Sequence, residues 1–554
     1  MDISMSQTID TIFLSHAEKQ ADALALTDSA NRERLGLRSI DELTYKQSAR
    51  YIRHTAAFLR QAQFADGDIV VVQLPNIAET PLILLSILNA GLVPCLIPAH
   101  WRKVEIEAAL EKLNPRAIIA HQSVLDHNPF ETMFEIAAAQ TSVRFIYGLG
   151  NNLTDGVTPL PDITTTITTD ITAEESPEVL ITRSGEQVAF IGWTRSCVDA
   201  ETSRVDPVAY THIQLMANAH VVSSEIKLQS SPKLLSTYSP TNLTGLVTTI
   251  LPWILEAGTL HIAGSLKIAP LIERIKQNNI NLAVIPQSLG EKLDQAFTQS
   301  FSEVAQYPHL ALVSPTPYKL AEKLPKVKLN AESTHIYNLN GLCIYAQHKH
   351  KNRDEQIIQI GEICLGAQPG TNGEELNPPF IETRIQGAAQ KAGDENDTLK
   401  GRMELNGMAV GFTEWQPIMT TTQLSNFDTH WEKSNLSAKI IDQGMTMLKV
   451  TPSQDEIYYG STMLNGAELD KIYQQYPGFV DAAAFSIKDP ALGERLFAAI
   501  IPSPHETLSY EEFKQFLLDQ QISPAKIPEK LVTVEEIPRS PEGFIERQAI
   551  LNFG

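Results

Sequence analysis

Short apolar segments alternate with longer amphipathic segments between residues 44 and 122, and this alternation limits the fold more than any other feature. The segment IVVVQL at 69–74 has the composition of a strand buried on both faces. Residues 44–62 place Ile52, Ala56 and Leu59 on one face of a helix. The same pattern continues with a helix at 79–91, a strand in 92–99, a helix in 103–113 and a strand in 116–122. The alternation predicts an α/β fold in which mainly parallel sheets are flanked by helices.

The chain is too long, at 554 residues, for one hydrophobic core, so we expect more than one domain. The C-terminal part alternates in the order β, α, β, β, α, β, which predicts a small α+β domain. We place the boundary at Pro452, which gives a large domain at 1–452 and a small domain at 453–554. Within the large domain, the Thr-, Asp- and Pro-rich residues 150–178 predict a surface excursion. The polar residues 387–401 predict a hairpin tip in a distal β-rich region.

Composition limits the classes of binding partner and the cellular compartment that we expect for this chain. The net charge of −21 argues against nucleic acid, whose binding depends on Lys and Arg neutralising phosphates, and against an anionic membrane surface. The sequence has no apolar run of about 18 residues, and its first twenty residues lack a basic segment followed by an apolar one. Only four cysteines occur, with no CxxC pair. These features predict a cytoplasmic protein that binds no nucleic acid, has no membrane span and has no metal site.

Several blocks resemble one family in the correct order along the chain. They are the opening block 42–110, YTHIQLMANA at 210–219, TGLVTTILPWILEAGTLHIA at 244–263, GEICLGAQPG at 361–370, GRMELNGMAVGFTEW at 401–415, and the C-terminal block 457–502. Together they resemble the adenylate-forming superfamily: acyl- and aryl-CoA synthetases, aryl-AMP ligases and the adenylation domains of peptide synthetases. The resemblance implies that the small domain is a mobile lid. It also implies a reaction in which a carboxylate is joined to ATP and the acyl group then passes to a thiol.

The chain departs from this family at the phosphate loop and at the magnesium position. The resemblance implies a glycine-rich loop ending in lysine, but residues 199–206 contain no glycine and Asp206 stands at the lysine position. Apart from the resemblance, this stretch predicts a polar surface loop. The resemblance also implies a hydroxyl residue followed by a magnesium-binding glutamate, in a frame that keeps Gly341. Cys343 and Ile344 occupy those two positions, and isoleucine cannot ligate a cation that requires oxygen. We interpret Cys343 as a buried structural cysteine, because no base is evident for a catalytic thiol.

The ribose, hinge and lysine positions depart as well. Trp431 and Ser434 keep the frame of the ribose-binding motif, but Leu436 stands where the resemblance implies aspartate. At the hinge, Thr451-Pro452 replaces a Gly-Arg pair and Gln454 occupies the hinge position itself, which predicts a stiffer link.

In IPRSPEGF the catalytic lysine position is Phe544. Arg547 and Lys530 are the cations that could substitute for it, and we expect Arg547 to lie on the solvent-facing side of the last helix. Asn242 and Gly341 are candidates for the acyl pocket, with Asn242 equally able to cap a turn.

The losses at the phosphate loop, the magnesium position, the ribose position and the catalytic lysine together favour a catalytically degenerate homologue that acts as a binding or scaffold protein. Loss of one preorganised donor raises the activation free energy by about 3–4 kcal/mol, whereas an enzyme as a whole lowers it by about 8–23 kcal/mol. This hypothesis predicts no cofactor, and its partners would be a small carboxylic acid, an acyl carrier protein or an active paralogue. The alternative is an active acyl- or aryl-CoA or acyl-AMP ligase with an unorthodox nucleotide site, which would need ATP and Mg²⁺. An acyl transferase that needs no ATP is a further alternative, and a homodimer is compatible with each.

Overall fold

The structure is a computed structural model of the 554-residue chain. It describes residues 7–28, 32–40, 42–125, 127–168, 184–199, 202–264, 266–300, 307–314, 329, 331–348, 357–359, 380–386, 400–413, 431–442, 446–451, 455–459, 462–489, 493–503, 509–540 and 545–550. In these ranges no helix is both long enough and apolar enough to cross a membrane.

Helices flank or connect the sheets along the whole chain. They are α1 (Ile9–Lys19), α2 (Tyr45–Arg60), α3 (Glu79–Asn89), α4 (Lys103–Leu110), α5 (Phe130–Ala139), α6 (Ile163–Thr168), α7 (His212–Ile226), α8 (Leu243–Gly245), α9 (Leu251–Leu255), α10 (Ile268–Asn278), α11 (Gln287–Ser300), α12 (Gly466–Tyr473), α13 (Tyr510–Asp519) and α14 (Arg547–Ile550). A π-helical turn, Leu246–Ile250, joins α8 to α9, and a 3₁₀ turn, Pro524–Lys526, follows α13.

Strands make up four sheets. They are β1 (Leu24–Asp28), β2 (Glu42–Thr44), β3 (Ile69–Gln73), β4 (Val93–Leu96), β5 (Ala117–His121), β6 (Phe145–Leu149), β7 (Thr158–Pro159), β8 (Val188–Asp199), β9 (Thr202–Thr211), β10 (Lys233–Ser236), β11 (Thr259–Ile262), β12 (Leu282–Pro286), β13 (His309–Ser314), β14 (Ser333–Asn338), β15 (Ile344–His348), β16 (Ile357–Gln359), β17 (Glu382–Gln386), β18 (Lys400–Asn406), β19 (Glu432–Asp442), β20 (Thr446–Thr451), β21 (Glu456–Tyr459), β22 (Thr462–Asn465), β23 (Phe479–Asp489), β24 (Gly493–Pro502) and β25 (Leu531–Thr533).

Two large sheets form the N-terminal part of the molecule. One has the order β7-β6-β5-β3-β4-β8-β9, and the other has the order β15-β14-β13-β12-β10-β11-β1-β2. Neighbouring strands are parallel except at β8–β9, β14–β15 and β1–β2. This confirms the mainly parallel α/β fold that the alternation predicts.

One apolar cluster fills the space between the two large sheets. It combines residues of α1, α2, α3, α7 and α9 with the facing side chains of both sheets. Phe13 lies at its centre, with its ring centroid 5.2 Å from that of Tyr45 and 5.0 Å from that of Trp253. Helices α4 and α5 cover the outer face of the first sheet, and α10 and α11 cover the outer face of the second. Both sheets are therefore buried on both faces, which explains why their strands are continuously apolar.

The hydroxyl and amide residues that begin the longer helices act as N-caps. The Thr44 hydroxyl accepts a hydrogen bond from the Gln47 N–H at the start of α2, and the Gln47 side chain accepts one from the Thr44 N–H. Thr211 and Gln214 repeat this reciprocal arrangement at the start of α7. Each capping box satisfies two backbone donors that the first turn of a helix leaves without partners.

The predicted excursion at 150–178 is only partly an excursion. Leu160 and Ile163 are buried in the main cluster, and the Tyr51 hydroxyl donates to the carbonyl of Pro161. The apolar side chains within the Thr-rich segment draw α6 onto α2, so the prediction was wrong for these residues.

The distal β-rich region is a separate five-stranded sheet in the order β16-β20-β19-β18-β17. Strands β17 and β18 pair antiparallel, with Glu382 opposite Asn406, so they form the hairpin expected there. The tip at 387–399 lies outside the described residues.

The C-terminal part is a smaller β/α unit. Its sheet has the order β22-β21-β24-β23, with β25 parallel to β24. Helices α12 and α13 pack on one face around Leu469 and Phe513, and α14 packs on the other through Ile550. The domain boundary at Pro452 lies outside the described residues and stays a prediction.

Candidate functional site

The stretch that the resemblance places at the phosphate loop is a β-hairpin. Strands β8 and β9 pair from Val188–Thr211 to Asp199–Thr202, and Thr194 stands opposite Asp206. The expected polar loop at 199–206 is therefore wrong from Thr202 onward, since β9 begins there. The β-branched residues of this stretch, among them Thr202, Val205 and Val208, favour a strand over a loop.

Asp206 is held by a cation of the large domain. Its carboxylate forms an ion pair with the Lys112 ammonium, and both side chains are partly buried. The pair neutralises the negative charge that the sequence places here. It also occupies the nearest lysine, so Lys112 is already committed to a carboxylate.

The turn between β14 and β15 keeps the family frame around Gly341. This glycine has φ of +77°, and its N–H donates to the Asn338 side-chain oxygen at 2.6 Å. A Cβ at this position would collide with the carbonyl oxygen of Trp193 on β8. Gly341 is therefore required by the turn and by the neighbouring hairpin, and its place in an acyl pocket stays a prediction.

The two residues at the hydroxyl and magnesium positions point into the apolar core. Cys343 and Ile344 are both fully buried in the main cluster. The Ile344 N–H donates to the Asn218 side-chain oxygen at 2.9 Å, which ties β15 to α7. Burial in apolar surroundings raises the pKa of the Cys343 thiol far above its usual value, so the thiol stays protonated and unreactive. The interpretation of Cys343 as a buried cysteine agrees with this geometry.

Leu436, at the ribose position, lies in the same core. It is 3% exposed and belongs to the main cluster. Its N–H donates to the Ser434 hydroxyl at 3.2 Å, and that hydroxyl donates to the carbonyl of Met403 at 2.6 Å. Trp431 lies under the Arg384 guanidinium, whose carbon is 4.0 Å from the centroid of the ring. The frame residues Trp431 and Ser434 therefore serve packing and strand pairing.

Asn242 is the N-cap of α8. Its side-chain oxygen accepts a hydrogen bond from the Gly245 N–H at 2.8 Å. Of the two roles expected for Asn242, the geometry supports the cap. The Thr244 hydroxyl next to it accepts from the Asn338 side chain at 3.2 Å, so α8 is joined to the β14–β15 turn.

The hinge and lysine positions, Pro452, Gln454 and Phe544, lie outside the described residues. Of the two cations that could replace the missing lysine, Lys530 is exposed and directly precedes β25, and its carbonyl accepts the N–H of Ala498 on β24.

Arg547 was expected on the solvent side of the last helix, and this was wrong. The residue is 8% exposed, and its guanidinium contacts both carboxylate oxygens of Asp470 at 2.7 and 3.0 Å. The guanidinium also contacts one carboxylate oxygen of Asp455 at 2.8 and 3.0 Å and donates to the carbonyl of Ala484. The bidentate pair with Asp470 raises the pKa of Arg547, although burial opposes the charge.

Sequence reasoning missed this cluster because its three charged members are far apart in the chain. No spacing or motif in the sequence joins Asp455, Asp470 and Arg547. The cluster fixes α14 and the start of the small domain to each other. The N–H groups of the Arg547 guanidinium are all used within the cluster, so none is left to donate to a ligand.

The side chains at the positions that the resemblance assigns to the nucleotide do not supply the ligands that it implies for ATP and Mg²⁺. The side chains of Ile344 and Leu436 have no oxygen, and the Asp206 carboxylate, paired with Lys112, offers no cation to a phosphate. Within the described ranges, no group of three or more His, Cys, Asp or Glu side chains could hold a metal ion.

Sequence comparison places the chain in a family. The profile described as "AMP-binding enzyme" matches residues 13–329, which is more than half of the chain. The chain belongs to the AMP-binding enzyme family.

Among curated members of this family, a salicylyl-CoA synthase / salicylate adenylyltransferase of Streptomyces sp. is 22% identical over 96% of this chain and 91% of its own length. The medium-chain fatty-acid–CoA ligase of Escherichia coli K12 is 21% identical over 91% of this chain and 85% of its own length. Among solved structures, the amide bond synthetase McbA from Marinactinospora thermotolerans has a TM-score of 0.71 at 15% identity, with 98% of this chain and 99% of that chain covered. The structural match shows a common fold that extends over nearly the whole chain.

Proposed function

We propose that this AMP-binding-family protein holds an acyl or aryl carboxylic acid without activating it through ATP. One observation carries the proposal: the side chains at the magnesium and ribose positions, Ile344 and Leu436, lie together in the main apolar core. A side chain packed in this core cannot turn outward to a nucleotide without opening the core. The loss at these positions is therefore structural as well as chemical.

The pairing of Asp206 adds a second reason. In the family frame this position carries a cation for the phosphates, whereas here the only charge it offers is negative and already paired with Lys112. An approaching triphosphate would meet a carboxylate on a strand whose backbone takes part in a β-ladder.

A second candidate is an active acid–thiol (acyl-CoA) or acyl-AMP ligase that uses ATP and Mg²⁺ through residues other than those of the family frame. The similarity to a salicylyl-CoA synthase and to a medium-chain fatty-acid–CoA ligase along nearly the whole chain favours it. Kinship alone supports this candidate better than it supports a protein without catalysis. The geometry of Asp206, Ile344 and Leu436 is what supports the first candidate.

Carboxylate-dependent exchange of pyrophosphate into ATP separates the two. The purified chain is assayed with salicylate, benzoate and a series of straight-chain fatty acids, and the Escherichia coli medium-chain ligase is assayed in parallel as the active control. We expect exchange at the level of the no-enzyme blank for every acid. Exchange that depends on both acid and Mg²⁺ would establish the second candidate.

Direct binding measurements complete the test. Calorimetric titration of the chain with ATP and Mg²⁺ is expected to show no binding at sub-millimolar ATP. Titration with the same acids, without nucleotide, is expected to show saturable binding of at least one acid. If neither ligand binds, the acid-binding proposal fails together with the ligase.

The remaining partners follow from the same proposal. An acyl carrier protein or an active paralogue would receive or supply the acid, and a homodimer is compatible with either. The cytoplasmic location stays a prediction from composition.

A further inference from the structure

A buried lysine of the small domain lies between carboxylates of both domains. The Lys526 ammonium is 2.8 Å from the Glu105 carboxylate on α4 and 2.6 Å from the Glu468 carboxylate on α12. The side chains of Lys526 and Glu105 are only 5% and 6% exposed, while that of Glu468 is 27% exposed. The ion pair that joins the two domains, Lys526–Glu105, is therefore the more deeply buried of the two pairs.

The segment that carries Lys526 makes further contacts with the large domain. The Ser523 hydroxyl donates to the carbonyl of His100 at 2.7 Å, and the Thr132 hydroxyl at the start of α5 donates to the Gln521 side chain at 3.3 Å. Within the small domain, the Tyr473 hydroxyl donates to the Lys526 carbonyl at 2.6 Å, so the segment is also fixed to α12. Residues 521–526 therefore contribute contacts of the small domain with α4, α5 and the His100 loop.

The Lys526–Glu105 ion pair defines one relative orientation of the domains. A buried ion pair adds little net stability, because both charges lose their hydration. The pair instead favours one orientation over others: if the Lys526 charge is removed, Glu105 remains buried without a cation, and only separation of the domains returns its carboxylate to water. A neutral side chain at position 526 therefore destabilises the docked orientation and leaves the separated orientation unaffected.

We propose that the Lys526–Glu105 ion pair holds the small domain in a single docked orientation on α4, and that the free protein keeps this orientation. The inference rests on contacts at the domain surface and is independent of whether the chain binds an acid or a nucleotide. It gives Lys526 a positioning role between domains.

Distances between spin labels on the two domains test the proposal. Leu125 of the large domain and Val480 of the small domain are 62% and 64% exposed, and each is replaced by cysteine for labelling. Cys197 and Cys364 are replaced by serine, while Cys95 and Cys343 are buried and stay. The otherwise unaltered chain is expected to give one narrow distance distribution.

Three variants then separate a positioning role from a merely structural one. In Lys526→Met the docked fraction relative to the separated one is expected to fall about a hundredfold, which adds a second, broad distance component. Glu105→Gln is expected to give a smaller broad component than Lys526→Met, because Lys526 keeps the partly exposed Glu468 but loses its pairing across the domains. The variant keeps the start of α4 intact, because glutamine can still accept the Arg102 N–H that Glu105 accepts at 3.1 Å. Glu468→Gln is the matched control and is expected to keep the narrow distribution, because Lys526 retains Glu105.

The double variant Lys526→Met/Glu105→Gln completes the cycle. It leaves no unpaired buried charge, so its broad component is expected to be smaller than that of Lys526→Met alone. A broad distribution in the unaltered chain, or narrow distributions in both Lys526→Met and Glu105→Gln, would overturn the proposal. Because the measurement uses no ligand, its failure is distinguishable from failure of the acid-binding function.

Discussion

Replacing Ile344 with glutamate restores the residue type that the family uses for magnesium, and the structure predicts that the protein will not tolerate it. Ile344 is fully buried in the main cluster between the two large sheets. Its loss removes the burial of one large aliphatic side chain, about 1.5–3 kcal/mol. A carboxyl buried without a cation has its pKa raised by about 3–5 units, which adds about 4–7 kcal/mol once the pH exceeds that pKa. The sum is comparable with the whole stability of a domain, about 5–15 kcal/mol.

The sign of the pH dependence distinguishes a buried charge from a simple packing defect. Because the introduced carboxyl has a higher pKa in the folded state than in the unfolded state, the folded state binds more protons between those values. The stability of Ile344→Glu should therefore fall as the pH rises, by up to about 4 kcal/mol between pH 5 and pH 8. Ile344→Gln has nearly the same shape and should show only the constant packing loss.

Urea unfolding followed by tryptophan fluorescence measures this difference. All five tryptophans precede residue 432, so the signal reports the large domain. Equal stability of Ile344→Glu and Ile344→Gln at pH 8 would refute the burial argument. Stabilisation of Ile344→Glu by millimolar Mg²⁺ would refute it too, since it would mean that the side chain reaches an open metal site.

Three further predictions concern charged and titratable groups. Arg547→Met leaves the buried Asp470 without its cation and should destabilise the small domain by about 3–5 kcal/mol, seen as faster hydrogen exchange in β23 and β24; Arg547→Lys should lose part of this, because lysine cannot make the bidentate contact. If β23 and β24 exchange at the normal rate in Arg547→Met, the cluster does not stabilise the domain. Burial lowers the pKa of His261 to about 3, so the folded state resists protonation and stability should fall by about 2 kcal/mol from pH 7 to pH 5. His261→Gln should abolish that slope in urea unfolding, and an unchanged slope would assign it to other groups. Lys112→Met, which breaks the partly exposed pair with Asp206, should change the free energy of unfolding by less than about 1 kcal/mol; a larger loss would mean that the pair supports the hairpin.

Local patterns predicted the elements whose burial follows directly from their sequence. The apolar segment at 69–74 is β3, and the helix expected at 79–91 is α3, because short segments buried on both sides leave little alternative. The resemblance also located Ile344 and Leu436, although only the structure places both in one core.

Contacts between distant residues were beyond local patterns. Arg547 looked like a solvated helix residue because the two aspartates that surround it lie about eighty and ninety residues earlier. Lys526 drew no attention, since its carboxylate partner on α4 is 421 positions away in the chain. The stretch at 199–206 was misjudged as a loop because its charged residues concealed a strand whose pairing with β8 became visible only in three dimensions.

The β8–β9 hairpin also limits how a phosphate-binding loop could form in this part of the chain. In the ladder from Val188–Thr211 to Asp199–Thr202, the peptide groups of one strand form hydrogen bonds with those of the other. A glycine-rich loop ending in lysine could form here only if β8 and β9 separated. Their separation would also displace the carbonyl of Trp193, which lies close to Gly341. Introducing a glycine-rich phosphate loop at this place would thus require several simultaneous replacements.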